Sequence, residues 1–372
     1  MMRILIEAHH PAHVHFFKYA VRIWQERGDR VLLLGRDRDV MKRLLSAYGW
    51  IPHQIVSSTR SDSTGRGNRF PLREMLQRQW AVASAVREFR PSLVLSLMGS
   101  YTQASRLWGV PNIIFTDSEF QSFNHQIAHP FATRIYTPSC FWKPLGPKQR
   151  RYQGYHELAF LHPRRFTPQR TVLERLSVNR ALPVAQGGRS SPPPPGTAPH
   201  PEPGQYVVIR TSAWNTLHDI GEQGLGSHFE SLMQLLLPHY SVYIVPEGGQ
   251  LAAQWAPYRL TVPPDEFHDV LGFAALVISE GASTASEAAC LGVPAVYVNT
   301  TRRGYLEDQE RRYQLVYNYT DAEAAMRKIR ELIASPPSAS ELASARARLI
   351  ADHVDVTDYV VNELDRFADA TL

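Results

Sequence analysis

Short apolar runs alternate with longer amphipathic ones along the first half of the chain. The segments RILIEA (3–8), RVLLLG (30–35), HQIVSS (53–58), SLVLSL (92–97), NIIFTD (112–117) and RIYTPS (134–139) have the length and β-branched content of strands. Between them HFFKYAVRIWQERG (15–28), VMKRLLSAYG (40–49) and LREMLQRQWAVASAVREF (72–89) repeat apolar residues at helical spacing. Strands separated by helices of this length predict βαβ units, hence a parallel sheet covered on both faces. The alternation restarts with QYVVIRT (205–211), YSVYIVPE (240–247), YRLTVP (258–263), ALVISEG (275–281) and PAVYVNT (294–300). HFESLMQLLLP (228–238) and ASEAACLG (285–292) supply helices between them. From Asp321 to Leu372 the pattern is almost wholly helical.

Residues 178–205 break the rhythm with Pro, Gly, Ser and Ala, including four consecutive prolines that neither a helix nor an interior strand accepts. The expected organisation is a Rossmann-like domain over 1–177, a linker or disordered loop over 178–205, and a second Rossmann-like domain over 206–372. The helical tail could pack back on the first domain. A length of 372 residues suits two domains. Two cysteines, Cys140 and Cys290, argue against a disulfide framework, and no CxxC pair suggests zinc. A reducing cytoplasmic setting is expected. The acidic residue and histidines in MMRILIEAHHPAH read as a strand and its loop rather than a signal peptide. No run approaches the roughly 20 apolar residues of a membrane span. A net charge of +5 suits anionic ligands or an anionic membrane surface. The arginines are scattered and match no nucleic-acid motif, so no nucleic-acid partner is expected.

The richest segment runs from Ala275 to Thr300: strand, small-residue turn, helix, Leu-Gly-Val-Pro turn, strand. Gly281, Ala282 and Ser283 leave backbone accessible, and the helix behind them turns its amides and dipole to a phosphate. Thr284 adds a hydroxyl, and Glu287, one turn on, can accept two hydrogen bonds from ribose hydroxyls. The structural alternative is a capping box, with Ser283 or Thr284 capping and Ser286 or Glu287 reaching back. The loop after the first strand, EAHHPAHVHFFK, carries His9, His10, His13 and His15. Histidine titrates near working pH and can act as a general base. Metal binding is a rival reading; His9 and His13 have helical spacing, but Pro11 prevents a helix through both.

GASTASEAACLGVP (281–294) resembles the G-A-x-T-x-x-E-x-x-x-x-G-x-P signature of the peptidoglycan N-acetylglucosaminyltransferase family, GT-B enzymes that use UDP-GlcNAc. The resemblance implies that Ala282, Ser283 and Thr284 touch the diphosphate and that Glu287 binds the ribose. Glu280 departs from it, standing where a basic or small residue is common and where it should repel a diphosphate. His13 aligns with the histidine of that family's Gly-Gly-His loop, with Pro11-Ala12 in place of the glycines. The same opening, the phosphate turn and GYHELAFLHPRRFTP (154–168) together resemble the domain-of-unknown-function family numbered 354, a GT-B group. DSEFQSFNHQIAHPFATRIYTPS (117–139) is similar in part to UDP-GlcNAc 2-epimerase: Asn124 is kept, and His125 replaces an arginine.

These resemblances imply the GT-B fold, two Rossmann-like α/β domains with parallel sheets facing a central cleft. Asp117 and Glu119, at the carboxyl end of a strand, would face that cleft and orient a sugar or act as acid and base, unless Asp117 is a helix cap. His13 is the expected base toward an acceptor, positioned by Asp117 or Glu119; His10, His15 and His125 fall on the acceptor side. Arg210, ending the first strand of the second domain, could meet an anion, and His268 precedes the nucleotide strand, where related enzymes contact the base. The basic stretch SSTRSDSTGRGNRF (57–70) reads as an acceptor-binding, membrane-facing or merely solvated loop. The leading expectation is a metal-independent glycosyltransferase moving a sugar from a nucleotide diphosphate to a carbohydrate or lipid-linked acceptor. It needs no cofactor beyond its donor, and the inner face of the membrane is a compatible location. The alternatives are a 2-epimerase-like enzyme acting on one nucleotide sugar and a non-catalytic nucleotide or carbohydrate binder.

Overall fold

The structure, a computed structural model, describes residues 1–36, 39–49, 53–56, 71–97, 99, 102–120, 122–176, 200–211, 224–247 and 251–371. It consists of two compact units, Met1–Phe166 with Asp352–Leu372, and Thr167–Ala351.

The first unit is built on strands β1 (Arg3–Ala8), β2 (Arg30–Arg36), β3 (His53–Val56), β4 (Leu93–Leu97), β5 (Asn112–Phe115), β6 (Arg134–Pro138) and β7 (Gln149–Tyr152). They form a parallel sheet in the order β3-β2-β1-β4-β5-β6-β7. Its helices are α1 (Pro11–Glu26), α2 (Asp39–Ala47), α3 (Pro71–Phe89), α4 (Ser122–Ile127) and α5 (Leu158–Leu161). Ile4, Leu5 and Ile6 of the interior strand β1 are fully buried, as a strand covered on both faces requires. Helix α1 starts on Pro11, whose fixed φ and missing N–H suit the first helical position. It buries Val14, Phe17, Val21 and Trp24 along one face. The chain leaves β1 in one direction and returns through β4 in the other, so β1 and β4 form the switch point where ligands of such sheets bind.

The second unit holds β8 (Tyr206–Thr211), β9 (Ser241–Pro246), β10 (Leu276–Ser279), β11 (Ala295–Val298) and β12 (Val316–Tyr319), parallel in the order β12-β11-β10-β8-β9. Around them lie α6 (Phe229–Leu236), α7 (Phe267–Gly272), α8 (Ala282–Leu291), α9 (Gly304–Tyr313), α10 (Ala322–Ala334) and α11 (Ala339–Ala351). Its core gathers Val207, Ile209, Leu232, Met233, Ile278 and Val296. The last helix, α12 (Val356–Thr371), belongs to the first unit.

Several expectations change. Residues 258–263 form no strand; only Arg259 bridges to Ile244, and prolines at 257, 263 and 264 interrupt the ladder on either side. The first unit ends at Phe166 rather than 177. Residues 167–176 go with the second unit because the Gln169 amide donates to Asp269 (2.7 Å) and Arg175 pairs with Glu266 (2.9 Å). The tail divides, with α10 and α11 in the second unit and α12 in the first. Of the proline-rich segment, 178–199 lies outside the described residues, while 200–205 is built into the second unit. There Pro201 is buried, His200 Nδ1 lies 2.9 Å from the Leu176 carbonyl, and the Gly204 amide donates to Phe273 (2.8 Å). The basic stretch 57–70 lies outside the described residues.

Candidate functional site

In the first unit the chemistry collects at the carboxyl ends of β1 and β5. Glu7, one residue before the end of β1 and in register with Ser96 of β4, is 2% exposed. Its carboxylate accepts from Arg78 of α3 at 2.7 Å and sits 3.2 Å from His9 Nδ1. Burial pushes the Glu7 pKa up, but His9 and Arg78 outweigh it and the net direction is down, so Glu7 is ionised. The His13 ring, in the first turn of α1, stands edge-on to His9 with centroids 4.3 Å apart. Its Nδ1 is buried without a hydrogen-bond partner among the described residues. Burial, with repulsion from His9, His10, His156 and Arg78, holds His13 well below the usual imidazole range. A neutral imidazole is a proton acceptor, the form a general base needs.

Pro11 does exclude a helix through His9, yet the sharp exit from β1 brings Glu7, His9 and His13 together, with ligand atoms within 4.8 Å. That spacing is of the kind that holds a metal ion. Arg78, however, already pairs with Glu7, so a divalent cation there would have to share that carboxylate with a neighbouring guanidinium. The donor set fits a cation poorly.

Asp117, two residues past β5, pairs with His156, whose Nδ1 lies 3.2 Å from its Oδ2. His156 sits in the turn between β7 and α5 and is 6% exposed. Glu119 is buried at 1% exposure. His10 caps α1, its ring accepting from the Ala12 amide at 3.3 Å. His15 turns away from this cluster: it packs on Phe160 of α5, and its Nδ1 meets the Tyr48 hydroxyl at 3.1 Å. His125 of α4 stacks on His129 (4.6 Å), with its Nε2 3.1 Å from the Ser118 carbonyl. Burial, then Lys143, lower the His125 pKa, and burial, His125 and Lys143 push His129 down to about 4. The side chain of Asn124 lies outside the described residues.

In the second unit β10 ends at Ser279, in register with Arg210 of β8. The Ser279 hydroxyl accepts from the Gly281 amide (3.1 Å) and donates to the Gly281 carbonyl (2.7 Å), shaping the turn into α8. Gly281 is the N-cap, and no side chain caps the helix, so the capping box does not form. A helix start without a side-chain cap is the kind of terminus whose first-turn amides can receive an anion. Arg210 runs beside this turn, since a Cβ on Gly281 would lie 3.7 Å from its Cγ. Glu280 is 3% exposed and turns back to accept from the Leu225 amide at 2.8 Å, so its charge is fixed on that turn. Ser283 is exposed, and Thr284 is buried and hydrogen-bonds the Glu287 carboxyl. Glu287 lies 3.2 Å from Nε2 of His268, itself 1% exposed on α7. Burial pushes the Glu287 pKa up to about 8, against the opposing pull of Arg210 and Thr284.

The predicted residues thus fall into two groups, one on each unit. Glu7, Arg78 and His156 were not singled out from the sequence. Glu7 carried a signal, as a carboxylate in a strand that is otherwise apolar after Arg3. His156 lay within the segment 154–168 that carries a family resemblance, and Arg78 is one of several arginines on an amphipathic helix.

No family model and no curated protein sequence matches the chain. Solved structures do match it along nearly its whole length. A Staphylococcus aureus MnaA–UDP co-structure is 10% identical with a TM-score of 0.66, covering 99% of this chain and 97% of that one. The UDP-GlcNAc 2-epimerase of Neisseria meningitidis bound to UDP-GlcNAc is 12% identical with a TM-score of 0.66, covering 98% and 100%. A spinosyn rhamnosyltransferase complexed with thymidine diphosphate is 16% identical with a TM-score of 0.54, covering 98% and 100%. The fold is therefore that of the GT-B group: two Rossmann-like α/β units and a helical carboxyl-terminal segment.

Proposed function

We propose that the chain is a glycosyltransferase acting on a nucleoside diphosphate sugar, with UDP as the favoured nucleotide. The uncapped start of α8 carries this reading, with Arg210 beside it and Glu287 one turn on. Together they supply a diphosphate cradle and a ribose acceptor. The nucleotides named in the similar structures, UDP, UDP-GlcNAc and thymidine diphosphate, support the same class. In the transfer, neutral His13 takes the proton of an acceptor hydroxyl, whose oxygen forms the new bond to the anomeric carbon. The bond to the diphosphate breaks with its electron pair, and the α8 amides and Arg210 stabilise the departing charge.

The higher TM-score to the Neisseria meningitidis 2-epimerase, 0.66 against 0.54 for the rhamnosyltransferase, favours a second reading: rearrangement of one nucleotide sugar with no acceptor. Incubation with UDP-GlcNAc separates the two. UDP release that depends on an added carbohydrate or lipid-linked acceptor is expected of the transferase. A mixture of C2 epimers formed without acceptor would replace it with the second reading. Absence of both, with no thermal stabilisation by UDP, thymidine diphosphate or UDP-GlcNAc, overturns both. A ligand at 100 times its Kd should contribute about 2.7 kcal/mol.

A further inference from the structure

The pairing of Asp117 with His156 was expected from neither residue type nor spacing, and it joins the turn after β5 to the turn after β7. The two partners differ in access. The Asp117 side chain keeps 23% of its exposure while that of His156 keeps 7%. The imidazole is wedged between Phe16 of α1 (centroids 4.8 Å apart) and the Tyr152 ring, which lies parallel to it at 6.3 Å. With its ring fixed by packing, His156 presents Nδ1 to the carboxylate and has little freedom to turn elsewhere. Its other nitrogen, Nε2, is buried with no hydrogen-bond partner among the described residues. A histidine kept only for packing is ordinarily satisfied at both nitrogens, and this one leaves a polar atom unmet in order to hold Asp117.

We propose that His156 is the positioning residue for Asp117, gripping one carboxylate oxygen from behind so that an ionised, oriented carboxylate meets a substrate sugar hydroxyl. The proposal rests on the reading above, that this end of the first sheet carries sugar chemistry. A carboxylate in that role orients the hydroxyl only if it is both charged and fixed in angle, and the buried imidazole supplies both constraints. Burial disfavours the charged form of His156, but the attraction and hydrogen bond of Asp117, helped by Glu157, carry its pKa above the ordinary value. The groups that face it are Asp117 from the β5 turn, His13 from α1, Tyr152 from β7 and its own neighbour Glu157. His13 opposes protonation of His156, and the two carboxylates favour it.

The test has two arms. In the first, the His156 ring is titrated by NMR in the wild type and in Asp117→Asn, which keeps the shape of a half-exposed side chain. The His156 titration should fall toward or below the ordinary imidazole value in the variant; an unchanged titration overturns the pairing. In the second, the pH dependence of kcat/KM is compared in wild type and His156→Gln. Loss of the neighbouring cation raises the Asp117 pKa, so the acid limb should move to higher pH, with roughly 10- to 100-fold lower kcat. UDP affinity should be kept. An acid limb that stays in place while activity falls would mean a merely structural role and would sink the proposal. If no nucleotide sugar is turned over, the functional reading fails, and the NMR arm still decides the pairing.

Discussion

Burial keeps the Glu287 carboxyl protonated up to about pH 8 in the folded chain, whereas an ordinary value is 4.5. Between those values the folded state binds the extra proton, so this group's contribution to stability is full below about pH 4.5 and is lost as pH rises toward 8. The slope for one group is at most about 1.4 kcal/mol per pH unit. Thermal midpoints across this range should therefore decline more steeply for wild type than for Glu287→Gln, and parallel curves would count against the buried acid. For binding measured above pH 8, where the carboxylate is ionised, Glu287→Ala should weaken UDP affinity by about 1.5–3 kcal/mol, roughly 10- to 150-fold. Calorimetry with UDP and a 2′-deoxy analogue makes this specific: wild type should discriminate between them and the variant should not. Equal discrimination by both proteins would remove Glu287 from the ribose. His13→Ala, in the other unit, should lower turnover about 100-fold while leaving UDP binding intact. Loss restored by added zinc would instead indicate a metal site at Glu7, His9 and His13.

Helix α8 owes its start and its end to two glycines with different duties. Gly281 opens it in an extended conformation, and Gly292 closes it at φ 83°, a left-handed position that β-carbons resist. A Cβ at Gly292 would also lie 2.9 Å from Arg346 Cδ, which can shift, and 3.2 Å from its Cβ, which is fixed to the backbone of α11. The backbone term remains, so Gly292→Ala should cost about 1–2 kcal/mol in chemical denaturation, with nucleotide affinity at the other end of the helix little changed. Elements with apolar runs were legible in advance. β7, reading QRRY with two exposed arginines, and β12, reading VYNY with three half-buried residues, were not. Both are edge strands, where one neighbour and partial solvation relax the demand for apolar side chains. The apolar run at 258–263 erred in the other direction, since hydrophobicity suggested a strand where flanking prolines deny the ladder.

At the scale of the whole molecule the chain makes one return journey. After α11 completes the second unit, α12 packs into the first, burying Val356, Val360, Leu364 and Phe367. Asp355 at its start accepts from Arg165 at 2.7 Å, and the Thr357 hydroxyl donates to the Ala159 carbonyl at 2.7 Å. Removing four such side chains forfeits on the order of 6–12 kcal/mol of burial, comparable with the whole stability of a domain. Truncation after Ala351 should therefore unfold the first unit, read as loss of hydrogen-exchange protection in β1 and β4. Deleting residues 186–199 should change the unfolding midpoints little, since their composition offers no apolar face to bury. Extending the deletion through Gly204 should destabilise the second unit, because Pro201 and the Gly204 amide are built into it.

The sequence by itself determined the alternation of strands and helices, the two Rossmann-like halves and the small-residue turn into α8. Each of these is written in local periodicity and in residues whose backbone preferences act within a few positions. Tertiary structure decided which charges meet. The fold gathers Glu7, His9 and His13 at the end of β1, and it delivers Arg78 to Glu7 and His156 to Asp117 across 71 and 39 positions of chain (78 − 7 and 156 − 117). It likewise turned His15 into packing against Phe160 and set His268 against Glu287. A strand is specified by its own side chains, but a buried ion pair is specified by two segments that meet only after the chain has folded, and no local pattern records the meeting.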